Sequence, residues 1–245
     1  MRKAAASANL PDRSAYTIAD QERMSKAVNY FAWQYRMAAG AIGRRVLEVG
    51  CGLGNFTGHL LDREAVIAID EDPECVRRIR LRYAQSSNLT ALVCDLAGPE
   101  FQDLRRFEPD TCVCLNVLEH IEDDRAALDS LAAVLAARGV MVLLVPAFPA
   151  LLGPIDRNLG HFRRYRRADV VKLAEQAGLR IRELHYMNAA GFFGWWINAH
   201  ILRREAQSER QIEIFDEYFV PVLELAEGWL KPAFGQSLLA VLEKS

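Results

Sequence analysis

The sequence of 245 residues has little of what marks nucleic-acid-binding or membrane proteins. Neither sign of charge is in excess, since 30 basic and 32 acidic residues give a formal net charge of −2, and no overall field would attract nucleic acid or an anionic membrane. The longest uncharged aromatic-rich segment, 187–202, is shorter than the roughly 20 residues that span a bilayer. These absences disfavour nucleic acid as a partner and predict no transmembrane segment, and they leave peripheral contact with a membrane surface open.

Cysteine is scarce and odd in number, which disfavours a disulfide framework. The five cysteines are Cys51, Cys75, Cys94, Cys112 and Cys114. No apolar stretch typical of a signal peptide stands before Pro11, so we expect reduced, buried thiols in a cytoplasmic protein and a disordered N-terminal lead-in. Cys112 and Cys114 face the same way on a predicted strand, but no second cysteine pair or histidine cluster completes a site, and we predict no bound metal.

Strand and helix patterns alternate from residue 45 onward. The predicted strands are 45–49, 65–70, 89–94, 111–116, 140–146, 179–186 and 235–243. Helical spacing of apolar residues predicts helices at 55–62, 73–85, 123–137 and 167–177. Such alternation is typical of an α/β fold with a doubly wound, mainly parallel sheet, here of seven strands.

Two segments are longer than this alternation needs. Residues 147–166 separate the fifth strand from the next helix, and residues 188–233 separate the last two strands. Because long insertions in compact domains often carry function, we expect them to form helical lids on the substrate side of one domain, 41–245. Residues 1–40 are predicted as an N-terminal extension whose helical part, 16–40, caps the same edge of the sheet.

Residues 46–60, Val-Leu-Glu-Val-Gly-Cys-Gly-Leu-Gly-Asn-Phe-Thr-Gly-His-Leu, place a glycine-rich turn directly after the first strand. Glycines at 50, 52 and 54 allow a ligand to lie against the backbone, because no Cβ is in the way. A dinucleotide fingerprint would carry its third glycine at Asn55, and Glu48 is an unfavourable neighbour for a pyrophosphate at a helix N-terminus. A carboxylate suits a cationic ligand, so the turn favours S-adenosylmethionine (SAM) over NAD. The alternative is a glycine turn used only for packing.

A polar residue also stands at the carboxyl end of each of the next three predicted strands. Ligands of open α/β sheets bind beyond the carboxyl ends of the strands, where these residues meet. Asp70 follows the glycine turn by about 20 residues, the interval of a ribose-binding acid. Asp95 could accept a hydrogen bond from an adenine amino group while Leu96 offers its N–H, and Asn116 ends the fourth strand beside the turn.

Together these four strand ends resemble the cofactor motifs of the Rossmann-fold (class I) SAM-dependent methyltransferases, over residues 45–145. The resemblance implies a Rossmann-like sheet whose last strand inserts antiparallel between its two predecessors. It also implies that Glu48 or nearby backbone faces the methionine part of SAM, Asp70 the ribose and Asp95 the adenine, with 116–120 near the sulfonium. The predicted cofactor residues are Glu48, Gly50, Cys51, Gly52, Asn55, Asp70, Glu71, Asp95, Leu96, Asn116, Val117 and His120.

The fourth strand end also bears on the acceptor. Methyltransferases that act on amines of nucleic-acid bases carry Asn/Asp-Pro-Pro-aromatic there, where this chain has Asn116-Val-Leu-Glu. A Pro-Cys pair for methylation of pyrimidine carbon is absent as well. The sequence Gly160-His-Phe-Arg-Arg-Tyr instead resembles a bacterial subgroup of small-molecule methyltransferases.

Residues 153–167 follow the fifth strand on the cofactor side and contain the candidate base. Transfer to a hydroxyl or amine is helped by a group that takes the acceptor's proton, and a histidine suits this task near neutral pH. His161 is the leading candidate, with Asp156 to orient it and Tyr165 to donate a hydrogen bond. His120 competes for the role, and His161 could instead only hold the loop in place.

Five arginines between 157 and 167, with no acidic residue among them, are the candidate anion-binding group. Arg163 and Arg164 would grip an anionic acceptor, or the arginines form a solvated loop paired with carboxylates elsewhere. Farther along, Trp195 and Trp196 would line an apolar acceptor pocket, or pack in a core or a dimer interface.

These observations lead to one predicted function. We expect a SAM-dependent methyltransferase that acts on an oxygen, or less favourably a nitrogen, of a small or lipid-like anionic metabolite, as a monomer or homodimer. The alternatives are a noncatalytic SAM-binding protein and a methyltransferase acting on a protein or peptide. Glu48 and Asn55 oppose an NAD-dependent oxidoreductase.

Overall fold

One sheet organises the protein in the computed structural model, which describes residues 13–245 and their side chains from Thr17 onward. The strands are β1 (Arg45–Val49), β2 (Ala65–Asp70), β3 (Leu89–Val93), β4 (Thr111–Leu115), β5 (Val140–Pro146), β6 (Leu179–Met187) and β7 (Ser237–Lys244). Three of them have the predicted bounds, three differ by one residue at one end, and the last begins two residues later and ends one residue later than predicted. The predicted disordered lead-in before Pro11 lies outside the described residues.

The strand order is β3-β2-β1-β4-β5-β7-β6. β1 to β5 pair in parallel, and β7 pairs antiparallel with both β5 and β6. This confirms the seven-stranded, mainly parallel sheet and the insertion of the last strand between its two predecessors. The order reverses between β1 and β4, where Val46 pairs with Thr111, so a ligand crevice is expected at their carboxyl ends.

Helices cover both faces and the carboxyl edge of the sheet. They are α1 (Arg13–Met24), α2 (Val28–Ala38), α3 (Pro73–Arg82), α4 (Asp124–Val134), α5 (Pro154–Leu159), α6 (Arg167–Gln176), α7 (Ala189–Trp196), α8 (Glu209–Ile214) and α9 (Val220–Trp229). Two begin at aspartate caps: Asp72 accepts the N–H of Glu74, and Asp123 accepts that of Ala126. π-Helical segments at Ile197–Ile201 and Phe215–Phe219 extend α7 and join α8 to α9.

The predicted helix at 55–62 is wrong. Only a short 3₁₀ segment, Thr57–Leu60, follows the glycine turn. Its apolar spacing is real, because Phe56 and Leu60 are buried, but Gly58 disfavours an α-helix and the hydrogen bonds run between residues three apart. The hydroxyl of Thr57 donates to Glu48, which turns this segment back toward β1.

Both faces of the sheet are buried, as the strand patterns require. In β1, Val46 packs on the face covered by Trp33 of α2 and Val220 of α9, whereas Leu47 packs on the face covered by Leu128 of α4. All five cysteines are buried and unpaired, which confirms the predicted free thiols.

The long insertion and the N-terminal helices meet over the carboxyl edge. The carboxylate of Asp216 accepts the backbone N–H groups of Asn29 (3.0 Å) and Tyr30 (2.8 Å) at the start of α2, and Arg36 pairs with Glu224. These contacts join the two segments to each other, and their predicted role as a cap on one edge of the sheet stays a prediction. The division into 1–40 and 41–245 stays a prediction. Among residues 13–245, no helix has the length and apolar character needed to cross a membrane.

Candidate functional site

The glycine turn is held in a left-handed conformation, with φ of +70° at Gly50, +51° at Gly52 and +78° at Gly54. A Cβ added at Gly50 would lie 2.3 Å from Cγ2 of Val117, so the ends of β1 and β4 approach too closely for any other residue there. The structure therefore places the turn beside the fourth strand end, where the sequence predicts the sulfonium of SAM.

Asp70, predicted to bind ribose, holds the turn in place. Its Oδ2 accepts the N–H of Gly52 (2.8 Å), and its Oδ1 accepts the N–H of Asp72 (3.0 Å). Burial raises the pKa of Asp70, and these two hydrogen bonds oppose that rise. Burial and the nearby charges of Asp95 and Asp70 also raise the pKa of Glu71, so these carboxylates form one acidic group at the β2–β3 edge.

A cavity of about 240 Å³, here called the turn cavity, extends from the glycine turn to His161 between the sheet edge and α1. The predicted site residues that line it are Glu48, Gly50, Cys51, Gly52, Asn55, Asn116, His120, His161, Arg164 and Trp195. Those that do not line it are Asp70, Glu71, Asp95, Leu96, Val117, Asp156, Arg163, Tyr165 and Trp196. The structure thus gathers predicted site residues from four separate parts of the chain around one space.

Glu48 is buried on the wall of this cavity. Its Oε2 accepts a hydrogen bond from the hydroxyl of Thr57 (2.7 Å). Burial raises the pKa of Glu48 to about 8, and the charge of Asp70 adds to the rise. A cationic group entering the cavity would favour the charged carboxylate.

Gln21 of α1 is a contact that the sequence did not predict. Its Oε1 accepts the N–H of Leu53 (2.8 Å), and its backbone carbonyl accepts the side-chain amide of Asn55 (3.0 Å). Gln207 reaches α1 from the long insertion and donates to Asp20 (3.2 Å). The sequence predicted a helix within 16–40. Nothing in the residue pattern of that helix indicates which of its polar side chains contacts the glycine turn.

Asp156 and His161 lie together, as predicted. Oδ1 of Asp156, which is fully buried, lies 3.0 Å from Nδ1 of His161. The same carboxylate accepts hydrogen bonds from Arg164 (2.9 Å) and from the indole of Trp195 (3.2 Å). Burial opposes its charge, but the hydrogen bond from His161 and the charge of Arg164 outweigh this and lower the pKa of Asp156 to about 2.

Tyr165 and Arg163 point away from the cavity and fasten the loop. The hydroxyl of Tyr165 donates to Asp124 (3.0 Å), and Arg163 pairs with the same carboxylate (2.8 Å) and with the carbonyl of Ile121 (3.0 Å). Among the predicted anion-binding arginines, only Arg164 lines the turn cavity, and Asp156 balances its charge.

Glu119, His120 and His161 form a compact group at the end of the turn cavity away from the glycine turn, here called the Glu-His-His cluster. The N–H of Phe162 donates to the carbonyl of Glu119 (2.8 Å), which joins the two loops. The rings of His120 and His161 are perpendicular, with centroids 4.6 Å apart. Glu119 is fully buried, and within residues 13–245 neither of its carboxylate oxygens has a hydrogen-bond partner. Burial raises the pKa of Glu119 to about 7.

A second cavity of about 390 Å³, here called the apolar cavity, lies between α1–α2 and the long insertion. Its walls include Ile197, Leu202, Ile212, Phe215 and Phe219. The two cavities share the lining residues Met24, Tyr30, Trp195, Gln207 and Gln236, so they adjoin. Trp195 is therefore a pocket residue, whereas the neighbouring Trp196 is 44% exposed and does not line either cavity.

A family model and several curated proteins match this chain. A family model described as a methyltransferase domain matches residues 16–184, more than half of the chain. A ubiquinone biosynthesis O-methyltransferase of Xanthomonas euvesicatoria pv. vesicatoria (strain 85-10) is 34% identical over 105 residues, which cover 41% of this chain and 42% of the relative. A probable SAM-dependent methyltransferase of Mycolicibacterium smegmatis (strain ATCC 700084 / mc(2)155) is 28% identical over 60% of this chain and 56% of the relative. The chain thus spans about half the length of the curated relatives it matches.

The fold has a counterpart among solved structures. The N-methyltransferase NodS from Bradyrhizobium japonicum WM9, in complex with S-adenosyl-L-homocysteine, has a TM-score of 0.56 and 19% identity, covering 88% of this chain and 85% of that one. At this identity the likeness concerns the fold alone.

Proposed function

The chain belongs to the methyltransferase-domain family, and on that premise we propose that it transfers a methyl group from SAM to an oxygen of a small acceptor with an apolar part. One observation carries the proposal: a single cavity has the glycine turn at one end and His161 at the other. That cavity adjoins a larger apolar one between the helices of the lid. The turn cavity would therefore hold the methyl donor and the acceptor oxygen, and the apolar cavity would hold the apolar tail of the acceptor.

The residues present suit SAM, the methyl donor of this family. The glycine turn exposes backbone where a Cβ would collide with neighbours, and the buried carboxyl of Glu48 can face a cationic group. We assign Glu48 to the methionine ammonium, Asp70 to the ribose and Asp95 to the adenine, with Gln21 closing the turn. When bound, SAM supplies a methyl group on a positively charged sulfur, which leaves as a neutral thioether.

His161 is assigned to the acceptor's proton. Because its Nδ1 is held by Asp156, its Nε2 is the nitrogen that can accept a proton from an acceptor hydroxyl in the turn cavity. Tyr165 and Arg163 support this geometry indirectly by fixing the loop to Asp124. Alignment of the reacting atoms supplies the rest of the rate enhancement, up to roughly 7–11 kcal/mol.

The apolar cavity supports a lipid-like acceptor. Its apolar walls would take an alkyl or aromatic tail while the hydroxyl points past Trp195 toward His161. The name of the Xanthomonas relative, an O-methyltransferase, favours oxygen over nitrogen. The predicted anionic group on the acceptor is not part of this proposal, because Arg164, the arginine among the described residues that lines the turn cavity, is paired with Asp156.

Radiolabelled SAM and a series of phenols with alkyl chains of increasing length test this function. We expect labelled ethers, with KM falling as the chain lengthens, and no label on matched alkylamines. SAM binding without transfer to any phenol, amine or protein fraction would favour a noncatalytic SAM-binding protein. Binding of NADH in place of SAM would refute the proposal.

A further inference from the structure

We propose that Glu119, His120 and His161 form a binding site for one divalent transition-metal ion. The site lies at the acceptor end of the turn cavity, where the ion would meet the acceptor hydroxyl. That catalytic role rests on the proposed function, whereas binding of the ion does not. The inference departs from the sequence prediction of no metal, which considered only the cysteines.

The donor set and its spacing suit such an ion. Each of the three residues offers a ligand atom within 4.8 Å of the other two. Ligand atoms that share one ion at about 2.1 Å lie roughly 3–3.4 Å apart, so small side-chain rotations would close the site. Two imidazoles and one carboxylate are a ligand set found with Zn²⁺ and with non-haem Fe²⁺, and both leave positions open for a substrate.

Glu119 supplies an independent argument. A fully buried carboxyl with no hydrogen-bond partner is costly to keep, because burial removes its water and nothing replaces it. Among the described residues, neither oxygen of Glu119 is satisfied. Asp156, at a similar depth, has four donors around it from Gly153, His161, Arg164 and Trp195. A cation beside Glu119 would explain why one buried carboxylate is fully bonded and its neighbour is not.

His161 is already oriented as a metal-binding histidine. Histidine ligands usually donate their second ring N–H to a carboxylate, which fixes the tautomer and the ring plane. Nδ1 of His161 lies 3.0 Å from Oδ1 of Asp156, and this leaves Nε2 for an ion. Arg164 and Trp195 hold Asp156 in turn, so the orientation is set before any ion arrives.

The backbone keeps the three ligands together. Glu119 and His120 lie in the 3₁₀ turn Leu118–His120 at the end of β4, and the N–H of Phe162 bonds to the carbonyl of Glu119 (2.8 Å). Arg163 adds a hydrogen bond to the carbonyl of Ile121 (3.0 Å). The loop that carries His161 is therefore fixed to the turn that carries the other two ligands.

An ion at this position would change how the acceptor loses its proton. A bound cation lowers the pKa of a hydroxyl that approaches it, and the proton then passes to solvent. The lone pair of His161 Nε2 would be used by the ion, so with the ion bound His161 would act as a ligand, and the ion would replace it in the proton-removing role assigned to it above. The proposed methyl transfer would then require the metal.

Metal binding to the 245-residue protein tests the site without any assay of activity. After removal of metals with a chelator, Zn²⁺ is titrated by calorimetry and Co²⁺ by its visible absorption. We expect one ion per chain, with Kd raised at least tenfold in Glu119→Gln and in His161→Gln. Glu122→Gln and His200→Gln, which alter residues outside the Glu-His-His cluster, are the matched controls and should bind like the wild type. Absence of one-to-one binding, or equal binding by the ligand variants and the controls, would overturn the proposal.

Thermal unfolding keeps the test valid if a variant is poorly folded. Zn²⁺ should raise the Tm of the wild type and of both controls by similar amounts, and that of Glu119→Gln by clearly less at the same Zn²⁺ concentration. The same preparations are tested for SAM binding and methyl transfer. Transfer that persists in metal-free protein would refute the catalytic role of the ion, whereas metal binding without transfer to any acceptor would refute the proposed function and leave the site standing.

Discussion

Oε1 of Gln21 accepts a hydrogen bond of 2.8 Å from the backbone N–H of Leu53, so an N-terminal helix closes the glycine turn directly. The amide of Asn55 reinforces this contact by donating to the carbonyl of the same glutamine (3.0 Å). Closure of the proposed cofactor site thus depends on a residue about thirty positions before the turn, and on the long insertion that reaches α1 through Gln207.

Gln21→Ala is expected to weaken SAM binding about fivefold, since one hydrogen bond contributes about 1 kcal/mol. The amide of Leu53 should also exchange faster with deuterium. Calorimetry and hydrogen exchange measure the two effects. Gln85→Ala, an exposed glutamine beyond α3, is the control; equal affinities in both variants would refute a closing role for Gln21.

SAM binding is expected to release close to one proton per chain near pH 7, provided that Glu48 faces the ammonium. The pKa of Glu48 is about 8 in the free protein, and a nearby cation would lower it. Calorimetry in buffers with different ionisation enthalpies measures the released proton. The release should disappear in Glu48→Gln, and an unchanged release there would contradict the assignment.

The free energy of unfolding is expected to fall as pH rises from about 5 to 8. Burial raises the pKa of Glu48 to about 8 and that of Glu119 to about 7, so the folded state retains protons that the unfolded chain has lost. The stabilisation from these two groups is complete below about pH 4.3, the pKa of glutamate in the unfolded chain. It is lost as pH rises through their pKa values in the folded state. Asp156 acts oppositely, because its pKa is lowered in the folded state. Its ionised carboxylate stabilises the fold above about pH 4, and this stabilisation is lost as pH falls toward 2.

Urea unfolding of metal-free Glu119→Gln checks this pH dependence. Removing one such carboxyl should flatten the slope between pH 5 and 7 by up to about 1.4 kcal/mol per pH unit. Glu122→Gln, an exposed glutamate three residues away, should keep the wild-type slope. A slope that Glu119→Gln leaves unchanged would show that this carboxyl does not titrate as its burial implies.

His161→Gln is expected to lower kcat by 10² or more while leaving SAM affinity unchanged, because this residue lies at the acceptor end of the turn cavity. Asp156→Asn should act in the same direction and also reduce stability by about 3–5 kcal/mol, since Arg164 would lose its buried partner. Single-turnover rates measure the loss of turnover, and SAM titrations measure the affinity for SAM. A normal rate in His161→Gln would eliminate both roles proposed for this side chain.

Gly194→Leu is expected to raise KM for long-chain acceptors and to leave short ones unaffected. A Cβ added at Gly194 would meet no atom within 4 Å, and this residue lines the apolar cavity. Gly228→Leu in α9 is the matched control, because a Cβ added at Gly228 would also meet no atom within 4 Å and Gly228 does not line the cavity. Equal KM values for the two variants would show that the tail binds elsewhere.

Local pattern was enough to predict most of the sheet. Buried parallel strands are short apolar runs bounded by turn residues, and both features are visible within a few residues of sequence. β1, β2 and β5 accordingly have the predicted bounds. The helix at 55–62 failed because apolar spacing over a few residues fits a 3₁₀ turn as well as an α-helix, and the contact of Thr57 with Glu48 decided between them.

The sequence alone determined the family, the glycine turn and the acidic residues in or just after β1, β2 and β3, because these depend on residue types at short, regular spacing. Only the tertiary structure decided which of them share a cavity. It separated His161 from Tyr165, paired Arg164 with Asp156, and left the Glu119 carboxylate beside two histidines with no hydrogen-bond partner in residues 13–245. These contacts join residues far apart in the chain, and their partners are chosen by packing and burial, which no local pattern records.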